Sequence, residues 1–105
     1  MGEWIPIAKT EEVSPGNGTT VEAGDKCLAV FNVDGAFHVT DNTCLHRGGP
    51  LGEGELDGET VTCPWHGWEY NVKTGHCVNN PSSHVKAYPT VVEEGEIKIE
   101  LKPNR

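Results

Sequence analysis

Short apolar runs with a period of two, cut by glycine, proline, asparagine and aspartate, recur along most of the chain. Ile97, Ile99 and Leu101 alternate with Lys98 and Glu100, the pattern of a strand with one buried and one wet face. Val91 and Val92 precede it across the turn sequence EEGE. Cys27 to Val33 is a β-rich run that reaches Asp34-Gly35, a hairpin signal, and returns through Ala36 to Val39. Trp4 to Ile7 mixes aromatic and β-branched residues, and SPGNGTT (14–20) reads as a turn. Val61 and Thr62 lead into a Cys/His pair; Trp68, Tyr70 and Val72 then alternate with polar residues up to a turn at Lys73-Thr74-Gly75. No segment keeps a 3.6-residue apolar period. Thr10, as an N-cap before Glu11 and Glu12, supports one helical turn that Ser14-Pro15 cuts off. The pattern predicts an all-β fold, a small sandwich or partly closed barrel.

Residues 42–60 break the rhythm. They are too glycine-rich and too long for an ordinary hairpin loop, and such loops in a compact domain are usually functional. At 105 residues the chain fits a single domain, small enough that a bound metal group would add usefully to its stability. Sixteen acids against eight bases leave a net charge of −8, which excludes nucleic acid and anionic membrane surfaces as partners and favours a basic one. No apolar run approaches the ~20 residues of a membrane span. The opening MGEWIPIAKT lacks the features of a signal peptide, and Pro6 stands where a myristoylation signal needs Ser or Thr. The expectation is a cytoplasmic protein, whose four cysteines are ligands or buried thiols rather than a disulfide framework.

The candidate chemistry lies in CLHRGGPLGEGELDGETVTCPWHGW, residues 44–68. Cys44-x-His46 and Cys63-x-x-His66 each offer one thiolate and one imidazole, with sixteen residues between the pairs. Three chemistries compete for that donor set. Zinc accepts two sulfurs and two nitrogens, although its usual loops pair Cys with Cys and His with His. A thiol nucleophile with a histidine base needs only one of each, which leaves the second pair unexplained. A [2Fe–2S] cluster with two Cys on one iron and two His on the other takes one Cys and one His from each loop.

The longer stretch CLHRGGPLGEGELDGETVTCPWHGWEYNVKTG resembles the cluster-binding region of the Rieske ferredoxin family, down to the flanking HRGGPL and CPWHGW. The resemblance implies a Rieske-like iron–sulfur fold, a small antiparallel β-sandwich with a cluster-binding subdomain of two loops. It implies a single domain over residues 1–105, with its cluster region at about 42–70, and one [2Fe–2S] cluster per chain. Cys44 and Cys63 would bind the inner iron, and His46 and His66 the outer iron nearest the surface. Gly48, Gly49, Gly52 and Gly67 are expected to let backbone pass close to the cluster. Pro50 and Pro64 would stiffen the loops, while Trp65 and Trp68 would shield the cluster or anchor the core.

Respiratory members of the family carry an extra cysteine in each loop, and the two form a disulfide. Gly49 and Trp65 stand at the equivalent positions here, and Trp68 replaces a serine hydroxyl donor. Both losses imply a low-potential carrier, in the lower part of the ~−150 to +300 mV range of Rieske centres. Tyr70 matches a tyrosine donor of the respiratory type. Outside the motifs, Cys27 is expected to be a small buried hydrophobe and Cys77 to be partly exposed. His38 and His84 read as ordinary polar or packing residues, His76 as a neighbour of the second loop, and Arg47 as a partner contact or loop cation. Glu53, Glu55, Asp57 and Glu59 form either a solvated face or a docking patch for a basic partner.

By this resemblance the chain is an electron carrier rather than an enzyme. It would take single electrons from a flavin-containing NAD(P)H reductase and pass them to a terminal oxygenase of aromatic or similar substrates, docking at its His46/His66 end. The small Rieske-like subunit of an assimilatory nitrite reductase has similar loops and remains an alternative. So does the cluster domain of a terminal oxygenase, although 105 residues leave no room for its mononuclear iron domain. A zinc-stapled interaction module is the reading from another class.

Overall fold

A computed structural model describes residues 3–23, 26–42, 51–64, 67–79 and 84–101, with Glu3, Ala23, Lys26 and Leu101 described by their backbone alone. Cys44, His46, Arg47, Gly48, Gly49, Pro50, Trp65 and His66 lie outside the described residues. The strands are β1 (Glu3–Lys9), β2 (Gly18–Ala23), β3 (Lys26–Val33), β4 (Ala36–Asp41), β5 (Glu55–Asp57), β6 (Thr60–Thr62), β7 (Glu69–Asn71), β8 (Ala87–Tyr88), β9 (Thr90–Glu93) and β10 (Glu96–Leu101). They make three antiparallel sheets, ordered β1-β10-β9, β2-β3-β4-β8 and β5-β6-β7. Among the described residues no helix is long and apolar enough to cross a membrane.

β3 explains why the sheets stack as they do. Leu28, Ala29, Val30 and Phe31 are all fully buried, and successive residues of a strand face opposite ways, so β3 is covered on both sides. Leu28 and Val30 pack with Val13, Val39, Tyr88, Ile97 and Ile99, the core shared with β10. Ala29 and Phe31 pack with Leu51, Val61, Cys63, Tyr70, Val72, Cys77 and Val85, a second core beneath β5-β6-β7. Each large side chain so buried contributes about 1.5–3 kcal/mol. The small third sheet is thus seated on the sandwich through the alternate residues of one central strand.

The hairpin signals behave as expected. Asp34-Gly35 and Glu94-Gly95 both take positive φ (52° and 93°, 52° and 80°), the geometry of two-residue turns matched to strand twist. Asn32, 3% exposed, finds partners for its carboxamide at both ends: Nδ2 donates to the Val13 carbonyl at 2.8 Å and Oδ1 accepts from the Gly35 N–H at 2.7 Å. β1 runs two residues further than the apolar run predicts. It accommodates Pro6 because it is an edge strand, with Ile7 inserted at a bulge against β10.

Several expectations need correction. The turn read over 14–20 ends early, because Gly18, Thr19 and Thr20 pair with Phe31, Val30 and Ala29 and open β2. The single helical turn, Thr10–Glu12, is tied by the Glu12 carboxylate accepting the Lys9 N–H at 3.0 Å, not by Thr10 as a cap. Cys27 is exposed: it lies one residue into β3, opposite Glu22, before the stretch where both faces are covered. Cys77 is fully buried, because an antiparallel bridge to Tyr70 turns its side chain into the second core.

Candidate metal centre

Cys63 directly follows β6 and is 1% exposed, its thiol outside any disulfide. Its N–H donates to the Trp68 carbonyl at 2.7 Å, and its own carbonyl accepts the Gly67 N–H at 3.2 Å. Those two bonds close a turn between β6 and β7. Gly67 has φ +77° with open protein space around a virtual Cβ, so left-handed backbone is the reason for glycine there. Trp68 is partly buried and packs against the second core, as an anchor would. Tyr70 is 1% exposed in the same core. Of the four predicted ligands, Cys44, His46 and His66 lie outside the described residues, as does Trp65.

The flanks of the first predicted loop are described, and they converge on Cys63's surroundings. Residues 43–50 leave after Asn42 and return at Leu51, which is fully buried in the core that holds Cys63. The Leu51 N–H donates to the Asn42 carbonyl, and the Gly52 N–H to Asn42 Oδ1, both at 2.7 Å. A Cβ on Gly52 would lie 2.5 Å from the Thr19 carbonyl oxygen. Gly52 is therefore needed for close approach to β2, whatever lies on its other side. Asn42 had no signal in the sequence beyond its place two residues before Cys44.

A cysteine held on a core-packed hairpin, with the segment bearing Cys44 and His46 rooted in the same core, fits a cluster that draws one sulfur from each loop. The other singled-out residues distribute around this end. Glu55 and Asp57 share the outer face of β5-β6-β7 with Thr60, Thr62 and Glu69, which line one shallow groove. Glu69 joins that acidic face only through the fold. Glu59 instead pairs with Lys73 at 3.1 Å, with both side chains about half exposed, a bridge worth little on its own. His76 and His84 are exposed and face each other in an antiparallel bridge. His76 accepts the Asn71 N–H at its carbonyl, which places it beside the end of β7 farther along the chain from the Cys63 turn.

His38, half-buried on β4 opposite Phe31, titrates below its ordinary value of 6.5. Burial penalises its charged form most, Lys73 adds repulsion, and Glu59 opposes them. The unfolded chain therefore protonates at higher pH than the folded one. The stability this site contributes is present above about pH 6.5 and is lost as the pH falls through that value toward the folded pKa. Urea unfolding of His38→Gln should show a shallower loss of stability on the acid side than the parent, and identical slopes would count against this assignment.

Comparison with known proteins agrees. Ferredoxin CarAc of Metapseudomonas resinovorans is 34% identical over 98 residues, covering 91% of this chain and 92% of that one. The ferredoxin component of the naphthalene 1,2-dioxygenase system of Pseudomonas aeruginosa is 33% identical over 102 residues, covering 94% and 96%. A chain from the complex of reduced oxygenase and oxidized ferredoxin in carbazole 1,9a-dioxygenase superposes with a TM-score of 0.83 at 33% identity, over 92% of each chain. The profile of the Rieske [2Fe-2S] domain matches residues 3–89, from β1 to β8 and thus far beyond the two Cys/His pairs. On the strength of a match that takes in strands from all three sheets as well as the loops, the chain belongs to the Rieske [2Fe-2S] domain family.

Proposed function

We propose that this protein is the ferredoxin component of a ring-hydroxylating oxygenase system, carrying single electrons from an NAD(P)H-dependent flavin reductase to the terminal oxygenase in the cytoplasm. What carries the reading is near-full-length likeness, in both directions, to ferredoxins of carbazole and naphthalene dioxygenase systems. The chain works as one domain, with its cluster region at about 42–70. Cys44, His46, Cys63 and His66 hold the [2Fe–2S] cluster, which supplies reversible one-electron chemistry when bound.

The chain's own residues serve that role by shielding and placement. Cys63, buried with Val61, Tyr70 and Val72, keeps water from the sulfur side of the site. The hydrogen bonds that join Cys63 to Gly67 and Trp68 hold together the two ends of the segment that carries His66. Partners dock at the His46/His66 end, and the acidic face of Glu55, Asp57 and Glu69 steers a basic partner toward it. Structures of nitrite reductase small subunits share the fold at 16% and 24% identity, which carries the fold alone.

The purified protein should contain about two irons and two acid-labile sulfides per chain and give a rhombic paramagnetic signal on dithionite reduction. Mixed with the flavin reductase and ring oxygenase of its host, it should be required for NAD(P)H-driven substrate oxidation. Colourless protein with stoichiometric zinc would support the interaction-module reading instead. Undiminished oxygenase turnover without this protein would remove it from that pathway.

A further inference from the structure

We infer that Asn42 is a positioning residue for the first ligand segment, clamping the neck from which Cys44 and His46 are presented. The inference rests on the carrier reading above. Asn42 is a polar side chain only 6% exposed, so its carboxamide needs protein partners. It has them on every side. Oδ1 accepts the Gly52 N–H at 2.7 Å and the Thr20 hydroxyl at 3.2 Å, while Nδ2 donates to Cys27 Sγ at 3.6 Å. Its main chain adds two more bonds: the N–H donates to the Cys27 carbonyl at 3.1 Å, and the carbonyl accepts the Leu51 N–H at 2.7 Å.

One residue therefore ties β2 through Thr20, β3 through Cys27, and the two ends of the eight-residue segment 43–50 to one another. Fixing both ends of a short segment removes most of its end-to-end freedom before any ligand is bound. Two of these five bonds close the neck, to Leu51 and Gly52, and three fasten it to β2 and β3. On the far side, Gly52 is pressed against the β2 backbone and cannot drift without losing that contact. The clamp thus has a rigid anchor, and the segment it closes holds half of the proposed donor set.

The test uses the cluster-loaded protein. Asn42→Leu keeps the branched shape, with somewhat greater bulk, and removes the side-chain bonds. It should speed cluster loss to a phenanthroline-type iron chelator by about tenfold or more, the scale set by an orphaned buried donor, and shift the g-values of the reduced protein. Asn42→Asp retains both acceptor bonds and should restore the parent g-values. Cys27→Ala removes only the weak bond to sulfur and should leave chelator resistance within about twofold. A lowered melting temperature in Asn42→Leu with unchanged g-values and chelator rate would reduce Asn42 to a structural residue and overturn the inference. If Asn42→Leu yields no soluble protein, Asn42→Ser, too short to reach Gly52, carries the same expectations and the same refutation. Parent protein without iron and sulfide would fail the carrier reading itself, and this is seen before any substitution is made.

Discussion

Alanine in place of Cys63 is expected to yield protein without iron or visible colour, whereas alanine in place of Cys77 should leave both intact. The two thiols are equally hidden, 1% and 0% exposed, and share one apolar core with Val61, Tyr70 and Val72. Burial therefore cannot tell them apart; only ligation can. For Cys77 the change removes a packed sulfur opposite Tyr70 and costs about 1 kcal/mol, or roughly 4–8 °C in melting temperature for a domain near this size. For Cys63 it removes a proposed ligand, whose binding energy would also be folding energy, so the thermal loss should be clearly larger and should coincide with loss of the cluster. Iron and sulfide assays, the visible spectrum and thermal melts of both variants decide the matter. Retained colour in Cys63→Ala would show that Cys63 is an ordinary core thiol, and lost colour in Cys77→Ala would show that core packing, rather than ligation by Cys63, decides whether the cluster is held.

Where sequence pattern and structure agree, the reason is local. β10 and the β3–β4 hairpin announce themselves because alternation and Asp34-Gly35 turn chemistry act within a few residues. β5 was invisible, because Glu55-Leu56-Asp57 offers one half-buried apolar residue between exposed acids, within a glycine-rich stretch. Exposed acids of this kind suit an edge strand, and β5 is one. The burial of Cys27 and Cys77 came out reversed for the same underlying cause: cover for a single residue is supplied by distant chain, here the third sheet, and leaves no mark on neighbouring residues. Cys63 stands out in the sequence because the spacing of a Cys/His pair is itself a signal, independent of what the distant chain supplies. Asn42 was not, since a polar residue in the string TDNTC looks like any turn former until Leu51 and Gly52 are seen to return to it.

The same distinction between local and long-range demands makes Gly75 the residue whose substitution should cost most outside the ligands. Gly75 has φ +82°, and a Cβ built there would lie 2.0 Å from the Val85 carbonyl oxygen. Backbone, unlike a side chain, cannot swing aside. Its N–H donates to the Asn71 carbonyl at 2.7 Å, and its carbonyl accepts the Val85 N–H at 2.8 Å, so any retreat from Val85 strains bonds on both sides. Gly75→Ala should therefore lose about 3 kcal/mol or more, a large share of the stability of a domain this size. Gly58, at φ +62° with nothing near a virtual Cβ, isolates the cost of left-handed backbone alone, and Gly58→Ala should lose only about 1 kcal/mol. The damage at Gly75 should also reach the cluster end. The chain beyond it runs back along β7, where the Val78 N–H bonds the Glu69 carbonyl and the Glu69 N–H bonds Asn79 Oδ1 at 2.6 Å, one residue from the Trp68 carbonyl that holds Cys63. Urea unfolding and chelator-driven iron loss, measured on both variants, are expected to separate them in stability and in cluster retention alike. Equal, small losses for the two would mean that Val85 yields freely and that this turn does not brace the second loop.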